Sequence, residues 1–196
     1  KIFILKFFFF NFCHKIFYSC KGNLEYLRKF NLPEDKLYPM NCSVNNSHFM
    51  LQYKINKKKI KFLKKKHNIS KDDKVIIVVS NFEKRKNIKS LLNIVPIIKN
   101  KKIKLLIVGN GNYKKDIQTY KRIYRSNIII SGFVDIKKIS EYYSISDLFV
   151  LLSTYDPSPK TLNEALNFGL PCIVSKQIGT SEDLIKNGVN GFVINN

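Results

Sequence analysis

Six short apolar runs alternate with helical patterns through the last two thirds of this chain, and nothing else in it restricts the fold as much. The runs are Val75–Val79, Lys104–Val108, Ile128–Ile130, Leu148–Leu152, Cys172–Val174 and Phe192–Ile194. Short, continuously apolar strands are buried on both faces, which is the signature of a parallel sheet. Helical spacing fills the intervals at Asn87–Lys99, Lys114–Tyr124, Ile136–Ser144, Pro159–Phe168 and Ser181–Lys186. Strand–helix alternation of this kind implies right-handed βαβ units and a Rossmann-like, doubly wound α/β sheet. Ligands of such sheets sit beyond the carboxyl ends of the strands. The segments Ser80–Lys86, Gly109–Gly111, Ser153–Pro159 and Ser175–Glu182 all follow strands and should meet on that rim.

The stretch Leu151–Gly191 carries the chemistry. Asp156 and Glu164 stand with seven residues between them, and Ser158-Pro159 opens a short helix closed by Gly169 and Pro171. Ser158 is expected to be the N-cap and Pro159 the first helical residue. The free donors are then the amides of Lys160 and Thr161, at the positive end of the helix dipole, and they suit a phosphate. The Lys160 ammonium would add a full charge. Thr161 and Glu164 share one helix face, while Leu162, Ala165 and Leu166 form an apolar stripe for the sheet. Glu164 lies roughly 7 Å along the axis from Pro159. A pyrophosphate at the helix tip would leave a ribose beside Glu164, whose carboxylate accepts hydrogen bonds from vicinal hydroxyls. Asp156, before the helix, would lie near a donor hexose.

These residues resemble the C-terminal domain of a family 4 glycosyltransferase (glycosyl transferases group 1), which has the GT-B fold. The family pattern Glu-x7-Glu-Ala, Gly-x-Pro, a Gly-rich turn with Glu and Asn-Gly-Phe is matched in order. Here it reads Asp156-x7-Glu164-Ala165, Gly169-Leu170-Pro171, Gly179-Thr180-Ser181-Glu182 and Asn190-Gly191-Phe192. Upstream, Val79-Ser80-Asn81 through Lys86, Val108-Gly109-Asn110-Gly111, Ser131-Gly132-Phe133-Val134 and Ser146-Asp147-Leu148 follow the family's other motifs. The resemblance covers roughly residues 20–196. It implies that Glu164 binds the nucleotide ribose, Lys86 neutralises the donor diphosphate and Asp156 contacts the donor sugar. It also places Asn81, Gly109, Gly111, Ser158, Lys160, Thr161 and Glu182 around the nucleotide. Two positions depart from the pattern. Asn81 stands where the family has Arg or Lys, removing one phosphate charge, and Asp156 is one methylene shorter than the usual Glu. Lys84, Arg85 or Lys160 would compensate for Asn81.

The resemblance implies a hexosyl-type transferase moving a sugar from a UDP- or GDP-linked donor to an acceptor hydroxyl, with retention. The setting would be glycan or glycolipid synthesis, with a glycan or a lipid-linked molecule as acceptor. No metal and no cofactor beyond the donor are expected. Two other readings stay open: another GT-B enzyme such as a nucleotide-sugar epimerase, and a non-catalytic basic binding module.

Composition bounds these readings. The net charge is +21, but only Arg28, Arg85, Arg122 and Arg125 are arginines. The lysine excess comes with Asn, Ile, Phe and Tyr, as AT-rich coding produces, so a solvated face is expected rather than a specific nucleic-acid site. The same charge would favour peripheral contact with an anionic membrane, at its inner face. Cys13, Cys20, Cys42 and Cys172 form no C-x-x-C pair, which argues against a zinc site or disulfide framework and fits a reducing cytoplasm. His14, His48 and His67 are scattered. The opening apolar stretch is interrupted by Lys6, Asn11, His14 and Lys15, short of the roughly 20 residues a span needs. It is expected to be a buried helix and strand. Because the chain opens with Lys and is too short for two α/β domains, it reads as incomplete at both ends. Residues 1–46 would be the tail of an acceptor-binding domain and a linker, and 47–196 a donor domain without its C-terminal helix. The polar stretch Asn41–Lys74 reads as the connection.

Overall fold

The structure is a computed structural model that describes residues 2–98, 100–125 and 127–195. In chain order the elements are α1 (Ile2–Phe12), β1 (Ile16–Tyr18), α2 (Lys21–Arg28), β2 (Leu37–Pro39), α3 (Asn46–Lys57) and α4 (Ile60–Lys66). Then follow β3 (Lys74–Val79), α5 (Ile88–Ile94), β4 (Ile103–Val108), α6 (Lys114–Ile123), β5 (Ile128–Gly132) and α7 (Ile136–Ser144). The chain continues through β6 (Leu148–Leu151), α8 (Lys160–Asn167), β7 (Cys172–Ser175), α9 (Ser181–Leu184) and β8 (Gly191–Ile194).

All six expected strands are present and pair in parallel in the order β5-β4-β3-β6-β7-β8. Alternate side chains of each strand enter different cores. Val75 and Ile77 of β3 and Leu106 and Val108 of β4 pack with Phe49, Leu63, Tyr143, Leu162 and Phe168 from α3, α4, α7 and α8. Val78 of β3 and Leu105 and Ile107 of β4 pack with Ile88, Leu91, Leu92 and Ile117 from α5 and α6. Helices therefore cover both faces, and each fully buried Leu or Ile contributes about 1.5–3 kcal/mol. The chain winds outward from β3 to β5, then returns to β6 on the other side of β3. That reversal opens a crevice above the carboxyl ends of β3 and β6.

Three expectations require correction. The stretch Asn41–Lys74, read as the connection, is largely helical. It forms α3 and α4, and Phe49, Leu63 and Ile69 join the main core. The lysines hid this, because Phe49, Tyr53 and Asn56 follow helical spacing beneath them. The opening helix exists but is not buried: α1 has no buried residue, and Phe12 is 83 % exposed. Its apolar side chains point all round the axis, whereas Phe30 meets it on one side only, through Phe3 at 4.5 Å and Phe10 at 5.1 Å between ring centres. The helical pattern after Asn87 ends early. Pro96 breaks it into a 3-10 turn at Val95–Ile97, and the expected last residue, Lys99, lies outside the described residues.

The first 40 residues form a smaller unit. Strands β1 and β2 pair in parallel, with Ile16 opposite Leu37, over a cluster of Leu27, Phe30 and Leu32. No helix among the described residues is long and apolar enough to cross a membrane.

Candidate functional site

A cavity of about 560 Å³ occupies the crevice at the strand reversal. Ser80 and Asn81 reach it from the end of β3, Gly109 from β4, Phe133 and Val134 from β5, and Asp156 and Ser158 from β6. Lys160, Thr161 and Glu164 of α8 form one wall. Depressions of about 780 and 980 Å³ exist elsewhere, but lysine-rich surfaces around α6 and α4 line them, and no strand end opens there.

The 3-10 turn Lys84–Lys86 and the loop after β6 are tied together. Thr154 donates its amide hydrogen to the Arg85 carbonyl at 2.8 Å. That contact sets Lys86 against Asp156, and the Lys86 ammonium pairs with Asp156 Oδ2. Their side chains are 12 % and 8 % exposed, so both charges are largely removed from water. Arg85 Nη1 stands 4.0 Å from the same oxygen, although Glu83 accepts from Arg85 Nε at 2.8 Å. A shielded cation held by one carboxylate can be shared with an entering anion.

The amino end of α8 differs from expectation in one detail. Pro159, with φ −71° and ψ 116°, is the cap, the helix starts at Lys160, and Ser158 makes no capping hydrogen bond. The extended ψ of Pro159 moves the start by one residue, and Ser158 is left lining the cavity. Leu162 donates back to the Pro159 carbonyl at 3.3 Å. The amides of Lys160 and Thr161 have no protein acceptor among the described residues. They remain available at the positive helix end.

Glu164 is 9 % exposed on the cavity wall. Tyr143 of α7 donates its hydroxyl hydrogen to Glu164 Oε2 at 2.8 Å, and Oε1 has no protein donor among the described residues. Burial raises the Glu164 carboxyl above its ordinary value, while the Tyr143 hydrogen bond and the Lys160 charge pull it down. Tyr143 itself is fully buried, and burial beside Glu164 pushes its hydroxyl well above the ordinary phenol value.

The cavity thus collects Asp156, Glu164, Lys86, Asn81, Gly109, Ser158, Lys160 and Thr161. Gly109 has φ +136°, and a Cβ there would come within 1.9 Å of the Ser80 carbonyl oxygen, so the β3 and β4 loops close only over glycine. Gly111 is elsewhere. It bridges Phe82, and a Cβ would stand 2.7 Å from the Phe82 nitrogen, so it packs the loop from outside the cavity. Glu182 is also outside the cavity, on the surface of α9 with Lys21 Nζ 3.1 Å away. Of the proposed substitutes for Asn81, Arg85 and Lys160 line the cavity and Lys84 does not. Tyr143 carries no sequence signal, being one of two adjacent tyrosines in a helical pattern. Among the described residues, no group of three or more His, Cys, Asp or Glu is placed to hold a metal ion.

Residues 59–196 match the sequence profile of Glycosyl transferases group 1. The chain belongs to that family. The chain is similar to an uncharacterized glycosyltransferase of Methanocaldococcus jannaschii, 29 % identical over 83 % of this chain and 42 % of its own length. N-acetyl-alpha-D-glucosaminyl L-malate synthase of Bacillus anthracis is 31 % identical over 67 % of this chain and 34 % of its own. The chain therefore spans less than half the length of these relatives. In three dimensions it is similar to Anabaena HepE solved with UDP, at a TM-score of 0.81 and 17 % identity, over 94 % of this chain and 50 % of that one. The fold is the Rossmann-like half of a GT-B glycosyltransferase.

Proposed function

We propose that this cavity holds the nucleoside diphosphate-sugar donor of a glycosyltransferase, and that residues 47–196 form its donor-binding domain. The observation that carries this reading is the meeting of Lys86, the free amides of Lys160 and Thr161, and the Glu164 carboxylate in one cavity. The amides and the Lys86 ammonium face one region as phosphate donors and counter-charge. Glu164, about a turn further along α8, offers Oε1 to the ribose hydroxyls while Tyr143 fixes its other oxygen. Asp156 holds Lys86 in place and faces the sugar side.

The reaction transfers the sugar to an acceptor hydroxyl. The bond between the anomeric carbon and the diphosphate oxygen breaks, and the electron pair leaves with the nucleoside diphosphate. Lys86 and the α8 amino end stabilise that growing negative charge. Retention, and an acceptor in glycan or lipid-linked form, follow the family resemblance. Residues 1–46 would belong to the acceptor-binding domain. Peripheral membrane contact fits the +21 charge.

HepE was solved with UDP, and one relative, from Escherichia coli, is a UDP-Gal:alpha-D-GlcNAc-diphosphoundecaprenol alpha-1,3-galactosyltransferase, 36 % identical over 45 % of this chain and 23 % of its own. UDP is therefore the first ligand to titrate, with GDP beside it. Calorimetry should show saturable nucleotide binding that Glu164→Ala abolishes. Binding indifferent to that change, or binding only of nucleic acid with a steep salt slope, would reject the donor site in favour of a basic binding module.

A further inference from the structure

Asp156 is held from behind by a segment far away in sequence. Cys20, 4 % exposed, donates its Sγ hydrogen to the Pro157 carbonyl at 3.2 Å. Two residues on, Gly22 donates its amide hydrogen to the Gly179 carbonyl at 3.4 Å. Gly179 in turn donates its own amide to the Asp156 carbonyl at 2.9 Å, and Asp156 donates to the Gln177 carbonyl at 3.4 Å. Lys21 anchors the flank, with its amide 3.0 Å from Asp183 Oδ2 and its ammonium 3.1 Å from Glu182 Oε2. The packing leaves no slack. A Cβ on Gly179 would stand 2.4 Å from the Pro157 oxygen and 2.9 Å from Cys20 Sγ, and one on Gly22 would stand 3.0 Å from Gly179 Cα.

We infer that Cys20 and Gly22 are positioning residues: Cys20 through the Pro157 carbonyl, and Gly22 through Gly179, fix the backbone of Asp156, and so the alignment of its carboxylate with Lys86. The smaller N-terminal unit then acts on the donor site without touching it, because neither residue lines the cavity. A rigid chain of hydrogen bonds transmits a shift at Cys20 to Asp156, and two well-packed glycines give it no room to dissipate. The inference uses the proposed donor site only for its binding readout.

The test is a double-mutant cycle in the full 196-residue chain, crossing Cys20→Ala with Asp156→Asn and reading UDP affinity, together with amide hydrogen exchange at Gly179. Cys20→Ala should weaken UDP binding by about two- to threefold, as expected for one lost thiol hydrogen bond, a weak donor, acting at a distance. It should speed Gly179 exchange, and Cys20→Ser should restore both. In the Asp156→Asn background, Cys20→Ala should change UDP affinity no further. An equal loss in both backgrounds, or unchanged Gly179 exchange, overturns the inference. If the parent chain binds neither UDP nor GDP, the donor-site reading falls, while Gly179 exchange still decides whether Cys20 positions Asp156. Gly22→Ala gives the same readout should Cys20→Ala fail to fold.

Discussion

Tyr143 Oη lies 2.8 Å from Glu164 Oε2, and the same Tyr143 ring stacks on Phe168 at 5.3 Å between centres. A buried phenol therefore joins the hydrophobic core to the carboxylate assigned to the ribose. Tyr143→Phe keeps the ring and deletes the donor. Unfolding stability should fall by about 1 kcal/mol, the typical net worth of one hydrogen bond. The Glu164 carboxyl should titrate at higher pH than in the parent, because the hydrogen bond that lowers it is gone. Denaturant melts and carboxyl-detected NMR titration check the two outcomes.

The raised Glu164 carboxyl also sets opposite pH trends for folding and binding. Its folded value lies above the ordinary one, so its contribution to stability is complete below the ordinary value and is lost as pH rises through the raised value. Ribose binding needs the ionised acceptor, so UDP affinity should rise over that same interval. Glu164→Gln should flatten both trends. Paired titrations of parent and variant from about pH 4 to pH 7 cancel ionisation of the ligand itself and isolate this group.

Removing one partner of the Lys86–Asp156 pair strands a buried charge. Lys86→Met should lower stability by about 3 kcal/mol, the lower end for a broken buried pair, because Arg85 remains near Asp156. UDP binding should drop at least tenfold. Lys86→Met with Asp156→Asn should recover most of the stability and none of the binding. Recovery of binding would show that the cation serves the fold alone.

Asn81 lies on the cavity wall with a neutral side chain. Asn81→Lys should strengthen UDP binding by about three- to tenfold at low salt, with the gain shrinking as salt screens it. Uridine, which has no phosphate, should bind both forms equally. A gain shared by uridine would place Asn81 away from the diphosphate.

The α/β sheet was legible because its signal is local. Runs such as Val75–Val79 and Leu148–Leu152 are apolar enough to need cover on both faces, and the helices between them have marked ends. Most of the candidate site was legible too, since Asp156, Ser158, Lys160, Thr161 and Glu164 lie close along one strand–helix junction. What was not legible depended on distant neighbours. Gly111 carries the same glycine signal as Gly109, yet Phe82 occupies its side of the loop. Glu182 has the charge for a ligand, but Lys21 lies beside it. The apolar residues of α1 predict burial, and Phe30 offers one side of cover for a helix apolar all round.

The order and type of the strands and helices, and the residue kinds at the α8 amino end, were determined by the chain itself, because periodicity and turn chemistry act over a few residues. Only the tertiary structure decided that Lys86 meets Asp156, that Tyr143 orients Glu164, and that Cys20 backs the Pro157 carbonyl. Those contacts join residues 70, 21 and 137 positions apart. No local propensity encodes such a distance, and they form only once the sheet reverses direction at β3 and its loops are packed on one rim.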